Sequence, residues 1–431
     1  MIIALIGSGG RENALAYKLA KSESLTKLYI LPGNPGTSKY GENIDLTENS
    51  DIIKFCLEMK VELAVIGPEK PLVEGLADDL RNVGIPVFGP SSRGAEIEGN
   101  KSFSKELMKK YGIPTAKYET FTKEQGEGAL NYLREHEYPV VIKASGLAAG
   151  KGVAICDNYT EAAEYLDALF VENIFGGAGH SVVIEDFMDG EEASIFAITD
   201  GKDFIVLPSA QDHKRINDND EGKNTGGMGA YAPAPIVDDN ILKKVKSEVI
   251  IPTINAMNAE GRAFIGCLYC GLMIKDGDVK VVEFNCRFGD PETQAVLPLL
   301  EGDFAKLLYS CAVGKIEKDV IKYNGGGSIC VVLASGGYPD FFKKGYLIEG
   351  INDIKAENCL VFHSGTSIKN GELVTSGGRV LNITVFDSKN DLIECKKKCY
   401  DELYKVKYTN IHFRKDIGDR GINHINQLSK K

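Results

Sequence analysis

The sequence lacks an excess of positive charge: 50 Lys and Arg stand against 61 Asp and Glu, a formal net charge of −11. Nucleic-acid binding by counterion release needs a basic surface, so the balance argues against it as the main function. Local anion sites survive, because glycine turns hold phosphate through backbone N–H groups without net positive charge. The chain has no apolar run near the ~20 residues of a membrane-spanning helix. Its start, Met1 to Gly7, lacks the basic opening and long apolar stretch of an export signal. Ten cysteines in 431 residues are too sparse for a disulfide scaffold, and most lie in apolar runs such as Ile329–Val332. Internal repeats and low-complexity tracts are absent. These absences predict a reducing, cytoplasmic setting, with neither nucleic acid nor membrane as partner.

What is present is a globular composition, 43% hydrophobic and 26% charged. The length suggests two to four domains at ~100–200 residues each. Apolar runs at 2–6, 28–31, 63–67 and 86–89 alternate with helical patterns, which predicts a doubly wound parallel sheet over residues 1–100. From 101 to 325 the rhythm is α+β with mostly antiparallel strands, and a flap subdomain is expected at about 115–195. Residues 213–227, polar and glycine-containing, are expected to form an exposed, mobile loop that closes on substrate. A small β-rich domain is expected over 326–431.

Several motifs carry chemistry. Gly7-Ser8-Gly9-Gly10-Arg11-Glu12 follows a strand and opens a helix, where free N–H groups and the helix dipole favour an anion. It fails as a dinucleotide fingerprint, since Glu12 takes the third glycine position and the second strand ends in Pro32-Gly33 rather than an acid. A plain tight turn is the alternative. Lys143 to Gly152 misses the Walker A pattern at both ends and leads into a strand. It suits a flap over a nucleotide triphosphate, with Lys143 and Lys151 on opposite sides of the turn.

Along Val281–Arg287, strand alternation puts Glu283, Asn285 and Arg287 on one face. A carboxylate and an amide oxygen two residues apart suit Mg²⁺, and Arg287 can grip a carboxylate or phosphate in two-pronged fashion. The loop beyond carries two more acids, Asp290 and Glu292. The acidic strand Val182–Glu192 suits an adenine slot, although a strand ending in a charged turn looks the same. His213 reads either as a general base or as a positioning residue, and the second fits better. Cys267-x-x-Cys270 has no second ligand pair for zinc and reads as buried thiols.

In order along the chain these motifs resemble the ATP-grasp superfamily and, within it, the phosphoribosylamine–glycine ligase family. The resemblance rests on Gly9–Glu12, Pro32–Asn34, Gly67–Glu69, Gly146–Gly152, Asp212–Arg215, Asn224–Tyr231 and above all Glu283–Glu292. It implies a central ATP-grasp fold and ATP-driven ligation of glycine to 5-phosphoribosylamine in purine biosynthesis, through a glycyl phosphate. It implies that Lys105, Lys143, Gly150, Lys151 and Gly152 attend the ATP phosphates, that Glu185 and Phe187 read adenine, and that Glu192 binds ribose. Glu283 and Asn285 would ligate Mg²⁺ or Mn²⁺, with water or a more distant acid completing the shell. Arg287, Lys214 and Asp212 would be catalytic, while Gly9, Gly10, Arg11 and Asp290 would bind the phosphorylated amine. A transient contact with the upstream amidotransferase is a further expectation, because that amine is labile. Two positions depart from the family pattern: Ser145 replaces the usual Asp, and Asn13 the usual His. The chain leaves no room for the further purine-pathway enzymes fused to some members.

Overall fold

A computed structural model describes residues 1–148, 152–389, 391–428 and 430. The first segment forms a five-stranded sheet from β1 (Ile2–Gly7), β2 (Lys27–Pro32), β3 (Glu42–Asn43), β4 (Leu63–Ile66) and β5 (Val87–Phe88). Its order is β3-β2-β1-β4-β5 and every pairing is parallel. Strands β1 and β4 are apolar almost throughout, as a sheet covered on both faces requires. The helical pattern expected between the apolar runs at 63–67 and 86–89 is two helices, Glu69–Val73 and Leu76–Asn82. Gly75 breaks it at φ +92°, a left-handed conformation that glycine adopts without a Cβ penalty.

The flap is a separate four-stranded antiparallel sheet of β6 (Tyr118–Thr122), β7 (Val140–Ala144), β8 (Val153–Cys156) and β9 (Ser181–Asp186). Its order is β6-β9-β7-β8, with helices Gly126–Glu135 and Tyr159–Phe170 supplying its core. The chain then builds β10 (Glu191–Thr199) and β11 (Phe204–Val206). These join β16 (Gly266–Lys275) and β17 (Asp278–Asn285), described below, in a second antiparallel sheet ordered β11-β10-β16-β17.

Between those strand pairs run β12 (Gln211–Asp212), β13 (Arg215–Asn217), β14 (Glu221–Asn224) and β15 (Gly229–Ala232). The expected mobile loop over 213–227 is instead largely the β13–β14 hairpin. It is fastened to the far end of the chain: Arg414 Nη1 donates to Arg215 O (3.1 Å) and pairs with Asp220 (3.0 Å), and Asn219 N–H reaches Asp416 (2.9 Å). Polarity marked the segment as solvent-facing but could not show that distant partners hold it.

Strands β12 and β15 also leave the middle region. They enter the C-terminal sheet through the pairing of β15 with β20 (Gly327–Ser335), which continues into β24 (Arg379–Asp387) and β21 (Cys359–His363). The sheet of the last segment is therefore completed by residues from an earlier one.

Candidate active site

The register of β16 with β17 slips by one residue between Gly271 and Leu272, so Glu283 lies opposite Gly271 while Val281 lies opposite Leu272. This bulge bends β17 where its polar face begins. Lys143, from β7 of the flap, reaches across and donates to Val282 O at 3.0 Å. Glu185, on the neighbouring β9, stands between two lysines. Its Oε1 is 3.0 Å from Lys143 Nζ and its Oε2 is 2.9 Å from Lys105 Nζ. All three are buried, at 1%, 5% and 2% exposure. Burial pulls Lys105 down to about 8 against the pull of Glu185. Glu283 moves the other way: burial would raise its pKa, but Lys214, Lys143, Lys101 and Arg287 outweigh that and hold it below the usual carboxylate value.

A second group sits beside it. Lys214 forms an ion pair with Glu192, whose backbone carbonyl accepts from Gln211 Nε2 at 2.6 Å. Glu192, Asp212 and Glu283 outweigh the desolvation of this half-buried lysine and hold Lys214 well above the usual lysine value. Asp212 is pushed up to about 7, first by burial, then by Glu292, Glu192 and Glu283, with Lys214 opposing. Glu292 is itself fixed by Tyr269, whose hydroxyl donates at 2.9 Å. His213 is 1% exposed, and neither ring nitrogen has a partner among the described residues. Burial and the nearby Arg414 and Arg420 lower it to about 3, which makes it a poor proton acceptor near neutrality.

The glycine turn is the third part. Gly9 N–H donates to Glu12 Oε2 at 2.6 Å, and Glu12 Oε1 takes Arg11 Nε at 2.5 Å. The Arg11 guanidinium also reaches Phe288 O (3.0 Å), and its backbone N–H points at Asp290 Oδ2 (3.4 Å). Gly10 has no room for a side chain, since a Cβ would lie 2.5–2.6 Å from Ser364 Oγ, Asn382 Nδ2 and Gln294 Nε2. Arg287 lies just past the end of β17. Its Nε pairs with Glu69 at 3.2 Å, its Nη2 with Glu98 at 2.8 Å, and its Nη1 donates to Phe288 O at 3.3 Å. Burial opposes ionisation of Glu69, but Arg287 and Arg11 hold it down at about 2.

Both departures from the family pattern have structural partners. Ser145 Oγ accepts from the backbone N–H of Ser102 (3.0 Å) and donates to Asn100 Oδ1 (3.1 Å), sharing in the cap of helix Lys101–Tyr111. Asn13 Oδ1 accepts from the backbone N–H of His363 at 2.7 Å and so ties the first segment to the last.

The structure thus gathers Lys105, Lys143, Glu185, Glu283 and Asn285 on one side, Asp212, Lys214 and Glu192 next to them, and Gly9, Gly10, Arg11 and Asp290 around the turn. Gly150 and Lys151 lie outside the described residues. Gly152 is buried against Ala148, and Phe187 is 42% exposed. Sequence reasoning missed Glu98 and Arg379 and left Glu69 and Glu292 without roles. Glu69 lies inside a quoted motif, but nothing local marks an acid as the partner of an arginine more than two hundred residues away.

Residues 1–98, 99–293 and 328–420 match, in turn, the N domain, the ATP-grasp (A) domain and the C domain of phosphoribosylglycinamide synthetase. The chain belongs to the phosphoribosylglycinamide synthetase family. It is a ligase of that family, with three domains in the same order. It is 42% identical over 419 residues to a phosphoribosylamine–glycine ligase of Caldanaerobacter subterraneus, covering 97% of this chain and 99% of the relative. The Rhizobium meliloti protein of that name is 46% identical over 424 residues, covering 98% and 99%. The Thermotoga maritima phosphoribosylamine–glycine ligase structure superposes with a TM-score of 0.84 at 35% identity, covering 96% of this chain and all of that one. A biotin carboxylase domain of the Hydrogenobacter thermophilus 2-oxoglutarate carboxylase, crystallised with MgADP, shares the fold at a TM-score of 0.72 and 17% identity. It covers 95% of this chain and 91% of that one. ATP-grasp ligases use ATP and Mg²⁺ and act on small molecules. No helix among the described residues is long and apolar enough to cross a membrane.

Proposed function

We propose that this chain joins glycine to 5-phosphoribosylamine, giving glycinamide ribonucleotide, ADP and phosphate through a glycyl phosphate. The observation that carries the reading is the meeting of two buried lysines, Lys105 from the helix before the flap and Lys143 from the flap, at Glu185, with Lys143 also reaching the strand that holds Glu283 and Asn285. A carboxylate is a poor electrophile, so the phosphoryl group of ATP is transferred first to a glycine carboxylate oxygen. Lys105 and Lys143 neutralise the phosphates during that transfer, with Lys151 and the glycines Gly150 and Gly152 covering them. Glu185 and the Phe187 backbone read adenine, and Glu192 reads ribose.

The donor set fits a hard divalent cation: Glu283 is held ionised and Asn285 adds an amide oxygen. No cluster of three or more His, Cys, Asp or Glu that could hold a metal is found among the described residues. Phosphate and water oxygens would complete the coordination, as is usual for Mg²⁺, and Mn²⁺ would suit the same donors. When bound, the ion offsets charge on the phosphate oxygens.

Arg287 orients glycine, its own geometry fixed by Glu69 and Glu98. The amine of phosphoribosylamine, held at Gly9, Gly10, Arg11 and Asp290, then attacks the acyl phosphate carbon. The C–N bond forms and phosphate leaves. Asp212, poised near neutrality, accepts the proton that the amine loses, while Lys214 offsets charge on the carbonyl oxygen. All ten cysteines are free, which supports a reducing, cytoplasmic setting. The lability of the amine supports its delivery by transient contact with the upstream amidotransferase. The boundaries that suit this scheme are 1–100, 101–325 and 326–431.

The test is ADP release with Mg·ATP, glycine and freshly generated phosphoribosylamine, omitting each in turn. Strict dependence on all three, with glycinamide ribonucleotide formed one-to-one with ADP, is expected. ADP release that ignores glycine or the amine overturns the substrate assignment.

A further inference from the structure

Arg379 opens β24 in the last segment, far in sequence from the other site residues. Its Nη1 donates to Gly226 O at 2.6 Å and Asp290 O at 2.8 Å, and lies 3.3 Å from Asp290 Oδ1. The guanidinium lies against Gly226, where a Cβ would meet its Cζ at 3.1 Å. Asp290 in turn faces the backbone N–H of Arg11 (3.4 Å) and Gln294 Nε2 (2.7 Å). One arginine therefore joins the segment before β15 to the loop after β17, and through Asp290 that loop faces the glycine turn.

The charges around the turn single this arginine out. The Arg11 side chain, the obvious anion ligand by sequence, is occupied by Glu12 and Phe288 O. Arg287 is occupied by Glu69 and Glu98. Arg379 Nε and Nη2 have no hydrogen-bond partner among the described residues, and 21% of its side chain is exposed. Its charged neighbours are Asp290, Glu292 and Arg287, not the lysines on the ATP side. A planar guanidinium with two donors open is the group that best matches a phosphate monoester.

We propose that Arg379 binds the phosphate of the phosphorylated amine, and that the last domain thereby sets the preference for phosphorylated over unphosphorylated ribosylamine. The proposal rests on the substrate assignment above. The test is equilibrium binding of glycinamide ribonucleotide and of its dephosphorylated riboside, by calorimetry or competition, to wild type, R379M and R379K. R379M should weaken ribonucleotide binding by about 10- to 100-fold, the range of lost charge-assisted hydrogen bonds. Riboside binding should stay unchanged, and R379K, which keeps the charge, should recover part of the loss. Equal losses for both ligands would mean that Arg379 only braces the loop, and no loss for either would remove it from the site; both overturn the proposal. Should R379M fail to fold, the same split between ligands in R379K decides. A wild type that binds neither ligand overturns the substrate assignment itself, a result distinct from those of the variants.

Discussion

The flap and the body of this protein are built from similar apolar strands but close their cores differently. The buried core of the flap runs from Ala129 to Ile184 and takes nothing from elsewhere in the chain. The body does the reverse. One of its clusters joins Ala4, Ile66 and Leu107 to Ile195, Leu268 and Cys286, and another joins Leu5 and Leu15 to Phe304, Cys330 and Phe362. First, middle and last segments thus share apolar interiors, whereas many of the flap's links to the body are polar: Lys143 to Val282 O, Lys105 to Glu185, and Ser102 to Ser145. A rigid-body tilt of the flap keeps its own packing and exchanges hydrogen bonds that phosphate oxygens can replace. Moving any body segment exposes buried apolar side chains.

The comparison can be broken at its strongest point first. Leu5→Ala, at a fully buried position of the shared core, should cost about 2–5 kcal/mol and lower a single global transition in thermal melts. Leu166→Ala, in the flap core, should cost a similar local amount. Its hydrogen exchange should rise over 118–186 alone; a rise across the body would mean the flap is not self-contained. Next, Lys143→Met removes a polar link and, on the proposed function, a phosphate ligand with it. It should weaken ATP binding about 10- to 100-fold with the melting temperature nearly unchanged, checked by titration and melting.

Raising pH should separate flap contacts from body contacts through Lys105. Its folded pKa, about 8, lies below the ordinary 10.5. Below pH 8 both folded and unfolded chains carry the proton and the burial penalty is full. Between about 8 and 10.5 the folded chain releases it first, so this group's contribution to stability rises with pH. ATP affinity should fall over the same range as the cation is lost, and Lys105→Arg should remove that fall. The smallest effect is at a body link: Asn13→Ala leaves the His363 N–H without its partner and should cost about 1–2 kcal/mol, read from chemical denaturation.

Much of the fold was legible because β1, β2, β4, β16 and β17 are largely apolar runs bounded by glycine or charge. The alternation that placed Glu283 and Asn285 together is a property of any strand, and Lys143 was read from a glycine hairpin next to a strand, whereas Lys105 came from the family resemblance alone. What stayed hidden depends on long-range pairing. Residues 229–232 look like an ordinary short strand, and nothing local says they pair with Gly327–Ser335. Arg379 is one arginine after two glycines until Asp290 is seen beside it. The 213–227 segment reads as mobile because its restraints, Arg414 and Asp416, lie at the other end of the chain. The carboxylates that, after burial, push Asp212 towards 7 likewise come from separate elements: Glu292 from the helix after β17, Glu192 from β10 and Glu283 from β17.

The place of β15 in the last sheet has a consequence for biosynthesis. A ribosome makes Gly229–Ala232 well before the β20 strand that will flank it. At about 5–20 residues per second, the stretch between Ala232 and Gly327 takes on the order of ten seconds to emerge. Throughout that interval a nascent chain carries a buried-type strand with an open edge, the kind of surface that chaperones cover. Slow or stalled translation after residue 232 should therefore be the step at which this protein is most easily lost to aggregation.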